Sequence, residues 1–270
     1  MVFSRYNNST DSNLNIVHYQ RLKSNKSEPN YLLIMTYKKE YIKWHSPILG
    51  KEMEMLKFGH AGRPVVIFPT TMGRYWEVSD LGLVDSAKWF LEQGLVQIYC
   101  PDSINDMSWY NKEMHPKTRV YNHTKYDQML VEEVVDSIRH KTGYDKLVMA
   151  GPSFGGYQAA NFAFRHPERV SHLFSMSGSF NIKSFLDGYY DSNVYFNNPV
   201  DYVPSLDNPE LHNMKIILGT SEWDILKEDN EQMSGILKAK GIDHWLDMRG
   251  WIKHDWPLWN EMFPHYLSLL

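Results

Sequence analysis

The residues best suited to chemistry in this chain are Gly151-Pro152-Ser153-Phe154-Gly155, which follow a short apolar run. They have the form G-x-S-x-G between a predicted strand and a predicted helix, the setting of a nucleophile elbow. A serine at the tip of so sharp a turn takes an unfavourable backbone conformation, and side chains two residues before and after it would collide. Glycine at 151 and 155 avoids that collision. The motif therefore predicts Ser153 as a nucleophile.

A serine hydroxyl is a weak nucleophile at neutral pH and needs a base to accept its proton. In chains with this elbow the order is Ser, then Asp or Glu, then His, each on a loop after a strand. His254 lies between the last predicted strand and the terminal helix, whereas His244 and His265 fall inside predicted elements. We therefore expect His254 to be the base.

Two acidic residues follow the predicted strand 215–218 and are candidates for orienting that base. Asp224 is preferred over Glu222, because the shorter carboxylate further along the loop is the usual orienter in this order. Asp255 is a poor choice, since side chains of sequence neighbours such as His254 and Asp255 diverge. It is better placed to cap the final helix or to meet a cation.

An oxyanion hole needs two backbone N–H donors. The elbow predicts the first at Phe154, and the second is expected on the loop after the third strand, Pro69-Thr70-Thr71-Met72-Gly73-Arg74. Thr71 and Met72 are both candidates for it. Because the donor is main chain, residue type does not decide between them.

Hydrophobic periodicity predicts the elements that must position these residues. The predicted strands are 37–44, 51–58, 65–69, 95–100, 147–150, 170–176, 215–218 and 244–248. The predicted helices are 83–93, 127–141, 158–165, 230–240 and 257–270. Alternation of strands and helices implies an α/β fold with a mostly parallel central sheet and helices on both faces, preceded by an antiparallel hairpin.

Residues 1–30 are rich in Asn and Ser and are predicted to be an N-terminal arm, with 31–270 forming a single domain. Residues 179–213 interrupt the strand–helix rhythm and are too long for a simple connection. We expect a cap insertion that covers the pocket, a structural flap without substrate contact being the alternative. With 17 Tyr, 12 Phe and 9 Trp the chain can line a pocket with aromatic rings, and Trp109, Tyr110 and Tyr189 are the predicted substrate contacts.

Composition argues against several other functions. The net charge is −4 with the charges interspersed, so no basic face for nucleic acid is expected. No H-E-x-x-H, Walker or G-x-G-x-x-G pattern is present, and neither a metal nor a cofactor is expected.

Cys100 ends an apolar run and is predicted to be buried. Without a signal pattern or a long apolar run, the chain is expected to be cytoplasmic and off the membrane. Its oligomeric state stays open, a homo-oligomer being one alternative.

The chain also resembles a known family. The residues that carry the likeness are Trp44-His45-Ser46-Pro47, Met53-Glu54, Phe58-Gly59-His60-Ala61-Gly62, Phe68-Pro69-Thr70, Ser108-Trp109-Tyr110, the elbow, and His254-Asp255-Trp256. Across about residues 35–270 it is similar to an esterase family of α/β-hydrolases related to esterase D, the feruloyl esterases and the mycolyltransferases. The resemblance implies an α/β-hydrolase fold with Ser153, Asp224 and His254 as a catalytic triad, and it implies no particular substrate.

Taken together, the residues predict a serine hydrolase that cleaves a carboxylic ester or thioester of a small molecule through an acyl-enzyme. Acyl transfer to an alcohol on the same triad is one alternative. A hydrolase-fold binding protein with little turnover is the other, because fold alone does not establish activity. The lipase-type His-Gly oxyanion motif is replaced by Pro-Thr-Thr-Met-Gly, which weighs against a lipase.

Overall fold

The computed structural model describes residues 37–270, so the predicted arm at 1–30 lies outside the described residues. Eight strands form one sheet in these residues. They are β1 (Lys39–Ser46), β2 (Lys51–Phe58), β3 (Arg63–Ile67), β4 (Val96–Pro101), β5 (Leu147–Pro152), β6 (Val170–Met176), β7 (Lys215–Trp223) and β8 (His244–Lys253). The sequence predicted all eight, but it ended β7 and β8 several residues too early.

The strand order is β1-β2-β4-β3-β5-β6-β7-β8. β1 and β2 form the predicted antiparallel hairpin, and β2 runs antiparallel to β4. From β4 to β8 every pairing is parallel. The carboxyl ends of these parallel strands therefore meet along one edge of the sheet, where loops from different strands can combine into a site.

The helices are α1 (Glu77–Asp80), α2 (Leu83–Ser86), α3 (Lys88–Glu92), α4 (Pro116–Met129), α5 (Asp136–Thr142), α6 (Phe154–Arg165), α7 (Ser192–Tyr195), α8 (Pro199–Tyr202), α9 (Lys227–Ala239) and α10 (Trp256–Leu267). Two predictions of helix extent were wrong. The predicted helix 83–93 is broken at Ala87 into α2 and α3. The predicted helix 127–141 begins instead at Pro116 and runs through a π-helical stretch into α5.

Helices cover both faces of the sheet, as predicted. Alternate residues of β5 belong to different cores: Leu147 and Met149 face α4, α6 and α9, whereas Val148 and Ala150 face α10 and the short helices after β3. Cys100 is buried, also as predicted. A sheet buried on both faces explains the continuous apolar runs 65–67 in β3 and 147–150 in β5.

The segment between β6 and β7 contains the short helices α7 and α8 and no strand. It packs through Ile182, Leu186 and Val194 on a third apolar cluster that includes Phe154 and Tyr157 at the start of α6. The predicted insertion 179–213 thus lies against α6, the helix that directly follows Ser153. That contact is what a cap requires, and its role as a cap over a pocket stays a proposal.

Candidate active site

Ser153 occupies a strained turn between β5 and α6. Its φ of 55° and ψ of −122° lie where side chains are disfavoured. A Cβ on Gly151 would run into the backbone of Gly155, and one on Gly155 would run into the carbonyl oxygens of Phe68 and Pro69. The elbow therefore needs glycine at both positions. At Gly151 the reason is the collision across the turn that the sequence suggested, whereas at Gly155 it is the close approach of the segment after β3.

The three predicted triad residues meet at the carboxyl edge of the sheet. The Ser153 Oγ lies 2.9 Å from His254 Nε2, and His254 Nδ1 lies 2.8 Å from Asp224 Oδ1. A carboxylate can only accept, so Nδ1 carries the hydrogen and Nε2 is left to accept from the serine hydroxyl. The alternative acid, Glu222, instead pairs with Lys227 at 2.8 Å.

The environment of Asp224 keeps it ionised. Burial of this carboxyl would by itself raise its pKa, but hydrogen bonds with His254, the influence of the Ser177 hydroxyl and the Leu226 backbone N–H lower the pKa below its ordinary value. The Leu226 N–H donates to Asp224 Oδ1 at 2.8 Å. A charged carboxylate on Nδ1 fixes the orientation of the imidazole ring and stabilises its protonated form.

The remaining acidic and histidine candidates lie where the sequence suggested. Asp255 caps α10 and accepts from the Trp256 N–H at 2.8 Å. His244 begins β8 and contacts Ser234, and His265 lies in α10 beside Arg249. Neither histidine contacts the elbow.

The expected oxyanion donors lie on two segments: the start of α6, directly after Ser153, and the loop after β3, which begins where Phe68 and Pro69 approach Gly155. Phe154 is the first residue of α6, so its N–H has no acceptor within the helix. The Thr71 and Met72 N–H groups also donate to no group among residues 37–270. Both therefore stay candidates for the second donor.

The loop that carries Thr71 and Met72 is held from both sides. Glu77 accepts from the Thr70 N–H and hydroxyl, each at 2.8 Å. Arg74 makes a bidentate pair with the nearly buried Asp102, with distances of 2.7 and 2.6 Å. Bidentate guanidinium–carboxylate pairs fix geometry well, so the loop after β3 is anchored to the loop after β4.

A family model described as alpha/beta hydrolase fold matches residues 104–239, half of the chain. The chain belongs to the α/β-hydrolase fold family. No sequence among the curated proteins matches it.

Solved structures agree with this α/β-hydrolase fold. A ferulic acid esterase superposes with a TM-score of 0.71 at 17% identity, covering 86% of this chain and 97% of that one. An S-formylglutathione hydrolase from Agrobacterium tumefaciens gives 0.70 at 17%, covering 87% and 95%. An S-formylglutathione hydrolase from Staphylococcus aureus gives 0.66 at 16%, covering 86% and 96%. At these identities the likeness is one of fold, and it agrees with the resemblance found in the sequence motifs.

The three aromatic residues predicted to contact substrate lie in different settings in this α/β-hydrolase. Tyr110 lies beside the elbow: its hydroxyl is 2.8 Å from Thr71 Oγ1 and its ring packs on Phe154. Tyr189 lies on the insertion, half-buried beside His115. Trp109 is fully buried. A fully buried ring offers no surface to a substrate, so the structure does not place Trp109 as a substrate contact, and the contacts of Tyr110 and Tyr189 with substrate stay predictions.

Several residues at the site were not found from the sequence. Phe185 of the insertion packs on Phe154 and Tyr110. Trp259 packs edge-on against His254, with ring centroids 5.1 Å apart. Its position in the second turn of the helix after His254 was a usable signal, because the start of that helix must face the site. For Phe185 the sequence carries no signal beyond its place in the aromatic insertion.

Within residues 37–270, no three His, Cys, Asp or Glu side chains group in a way that would hold a metal ion. None of the helices in this range combines the length and apolar composition needed to cross a bilayer.

Proposed function

We propose that this α/β-hydrolase is a serine hydrolase that cleaves a carboxylic ester or thioester through an acyl-enzyme. The observation that carries the proposal is the continuous hydrogen-bond chain from Ser153 through His254 to Asp224, with the serine in a strained elbow. The serine hydroxyl has a base that can accept its proton, and the imidazole of that base has a carboxylate that orients it.

In the first half of the reaction, Ser153 Oγ attacks the substrate carbonyl carbon while its proton moves to His254 Nε2. The imidazolium is held by the charged Asp224 carboxylate. The negative oxygen of the tetrahedral intermediate accepts from the Phe154 N–H and from Thr71 or Met72. His254 then protonates the leaving alcohol or thiol, and the acyl group stays on Ser153.

In the second half, His254 takes a proton from water, and the hydroxide attacks the acyl carbon. Collapse of the second tetrahedral intermediate breaks the bond to Ser153 Oγ, which recovers its proton from His254. The products are the carboxylic acid and the free enzyme. An acceptor alcohol in place of water would give acyl transfer by the same steps.

The aromatic residues beside the elbow guide the choice of substrates to test. Tyr110 and Phe185 lie against Phe154, so an acyl or alcohol group bound there meets aromatic surface. The fold neighbours include ferulic acid esterases and S-formylglutathione hydrolases. Ferulic acid esters and S-formylglutathione therefore belong at the head of a substrate panel, beside short aliphatic esters.

The test is turnover across that panel by the wild type and by Ser153→Ala. We expect at least one ester or thioester to be hydrolysed, with the rate lost in the variant. Addition of acceptor alcohols then separates hydrolysis from acyl transfer by the products formed. Ligand binding that Ser153→Ala leaves intact, with no turnover by the wild type on any panel member, would favour the binding-protein alternative.

A further inference from the structure

The second oxygen of the Asp224 carboxylate lacks a partner. Oδ1 accepts from His254 and from the Leu226 N–H, whereas Oδ2 is buried and has no hydrogen-bond partner among residues 37–270. A buried charged oxygen without a donor is costly, so such groups are rare in folded proteins. The orphan oxygen indicates that a neighbouring donor completes it in the working protein.

Ser177 is the side chain placed to be that donor. It is fully buried directly after β6, and its N–H donates to the Gly219 carbonyl of β7 at 2.7 Å. Its φ of 55° is unfavourable for a side chain. The hydroxyl does not meet hydrogen-bond geometry to Oδ2, yet it helps to lower the Asp224 pKa. This buried serine with an unfavourable φ is held against β7, the strand that Asp224 directly follows, and a role in holding Asp224 would account for it.

Trp259 determines which way that hydroxyl points. Its indole Nε1 donates to Ser177 Oγ at 2.9 Å. The serine oxygen therefore accepts on the Trp259 side, and its single hydrogen is directed elsewhere. The Trp259 ring also stands nearly perpendicular to His254, with an interplanar angle of 89°. One residue of α10 thus contacts both the proposed base and the group beside the proposed acid.

We propose that Ser177 and Trp259 are positioning residues for the triad: Ser177 donates to Asp224 Oδ2, and Trp259 orients that hydroxyl and supports the His254 ring. This inference rests on the proposed function. Neither residue touches the reacting atoms. Their effect is to hold Asp224 in one orientation and to stabilise its negative charge.

The sign of the pH effect follows from this role. Without the Ser177 donor, the charged form of Asp224 is less stabilised, and the Asp224–His254 pair retains a proton more readily. The acid limb of the rate profile then moves to higher pH. Charged groups also lie on the flanking segments. Glu222 pairs with Lys227, Asp255 caps α10, and Asp229 accepts from Ser179. Lys253 is the last residue of β8. The Ser177 and Trp259 substitutions leave these groups unchanged, whereas the control Ser179→Ala removes one donor to Asp229.

The experiment measures the rate constant for labelling by a fluorophosphonate between pH 5 and 9. Ser177→Ala and Ser177→Gly both remove the hydroxyl, but glycine also relieves the positive φ, so a folding defect would separate the two. Trp259→Phe removes the indole N–H and keeps most of the ring. Ser179→Ala is the matched control, a serine two residues further along the same loop.

We expect both Ser177 variants to label about tenfold more slowly at neutral pH. Their acid limb should lie higher by roughly half a pH unit. Trp259→Phe should change in the same direction by less, and Ser179→Ala should match the wild type. Ser177 variants with the wild-type rate and acid limb, or a loss in Ser177→Ala that Ser177→Gly restores, would overturn the role of the hydroxyl alone. A wild type that is not labelled at all would overturn the proposed function and this inference with it.

Discussion

Trp223 and Lys253 are paired across β7 and β8, and each is the last residue of its strand. The next residues along the chain are Asp224 and His254, so the strand pairing itself brings the proposed acid close to the proposed base. Between the pairs Ser221–Arg249 and Trp223–Lys253 the register shifts, because β8 uses more residues than β7. This irregularity advances His254 to the level of Asp224, as bulges near active sites often re-aim a side chain.

Asp224→Asn should abolish most of the activity while leaving the fold intact. The amide cannot hold the imidazole in the tautomer that accepts from Ser153, and loss of this role costs roughly 10³- to 10⁴-fold in kcat. Glu222→Gln is the matched control, since that carboxylate pairs with Lys227 at the surface. Steady-state kinetics on any substrate found in the panel provides the measurement. Equal losses in the two variants would contradict the assignment of the acid.

Gly151→Ala should severely destabilise the protein, because the added methyl group would overlap the backbone of Gly155. Gly235→Ala is the comparison: it lies within α9, and a Cβ there meets no atom within 4 Å. In a helix interior that change should stabilise the fold by up to about 1 kcal/mol. Urea unfolding measures both effects. A Gly151→Ala variant as stable as the wild type would contradict the predicted clash with the backbone of Gly155.

Arg74→Lys should lower kcat more than it changes KM. Lysine cannot reproduce the bidentate contact with Asp102, so the loop bearing Thr71 and Met72 loses one of its two anchors. Removal of a whole oxyanion donor costs about 100- to 1,000-fold, and a displaced donor should cost less, on the order of tenfold. The split between kcat and KM is the readout. A rise in KM at unchanged kcat would place the pair in substrate binding instead.

The buried His123 should make the fold sensitive to acid. Burial lowers its pKa from 6.5 to about 3. Between pH 3 and pH 6.5, His123 is therefore protonated in the unfolded chain and neutral in the folded chain. Stability should therefore fall as the pH drops below about 6.5, by roughly 2 kcal/mol between pH 7 and 5 from this residue. His123→Gln should remove that part of the slope in urea unfolding at the two pH values. His172 has a pKa lowered in the same direction and stays present in both proteins, so an unchanged slope in the variant would argue against His123.

The sequence was informative where chemistry dictates residue type. Ser153, Asp224 and His254 could be selected because the elbow has a glycine signature and the partners must follow strands in a known order. The extent of β8 could not be predicted, because the irregular register with Gly250 and Trp251 breaks the alternation that marks a strand.

The start of α4 was also predicted wrongly, about eleven residues too late. Its first turns bury the polar residues Arg119 and His123, so they lack the apolar stripe that marks a helix in the sequence. Ser177 and Trp259 carry no motif, and their relation to Asp224 and His254 exists only once β6, β7 and α10 are packed together. Such contacts depend on tertiary structure and leave no periodic trace in the sequence.

The central claim, that Ser153 is a nucleophile activated by His254, is tested most directly by intact-mass measurement after incubation with a fluorophosphonate. Wild type, Ser153→Ala and His254→Ala should be compared, with circular dichroism confirming that each is folded and peptide mapping locating the adduct. We predict one adduct on the wild type, located at Ser153, and none on either variant. A folded wild type without an adduct, or an adduct that persists in Ser153→Ala, would contradict the account.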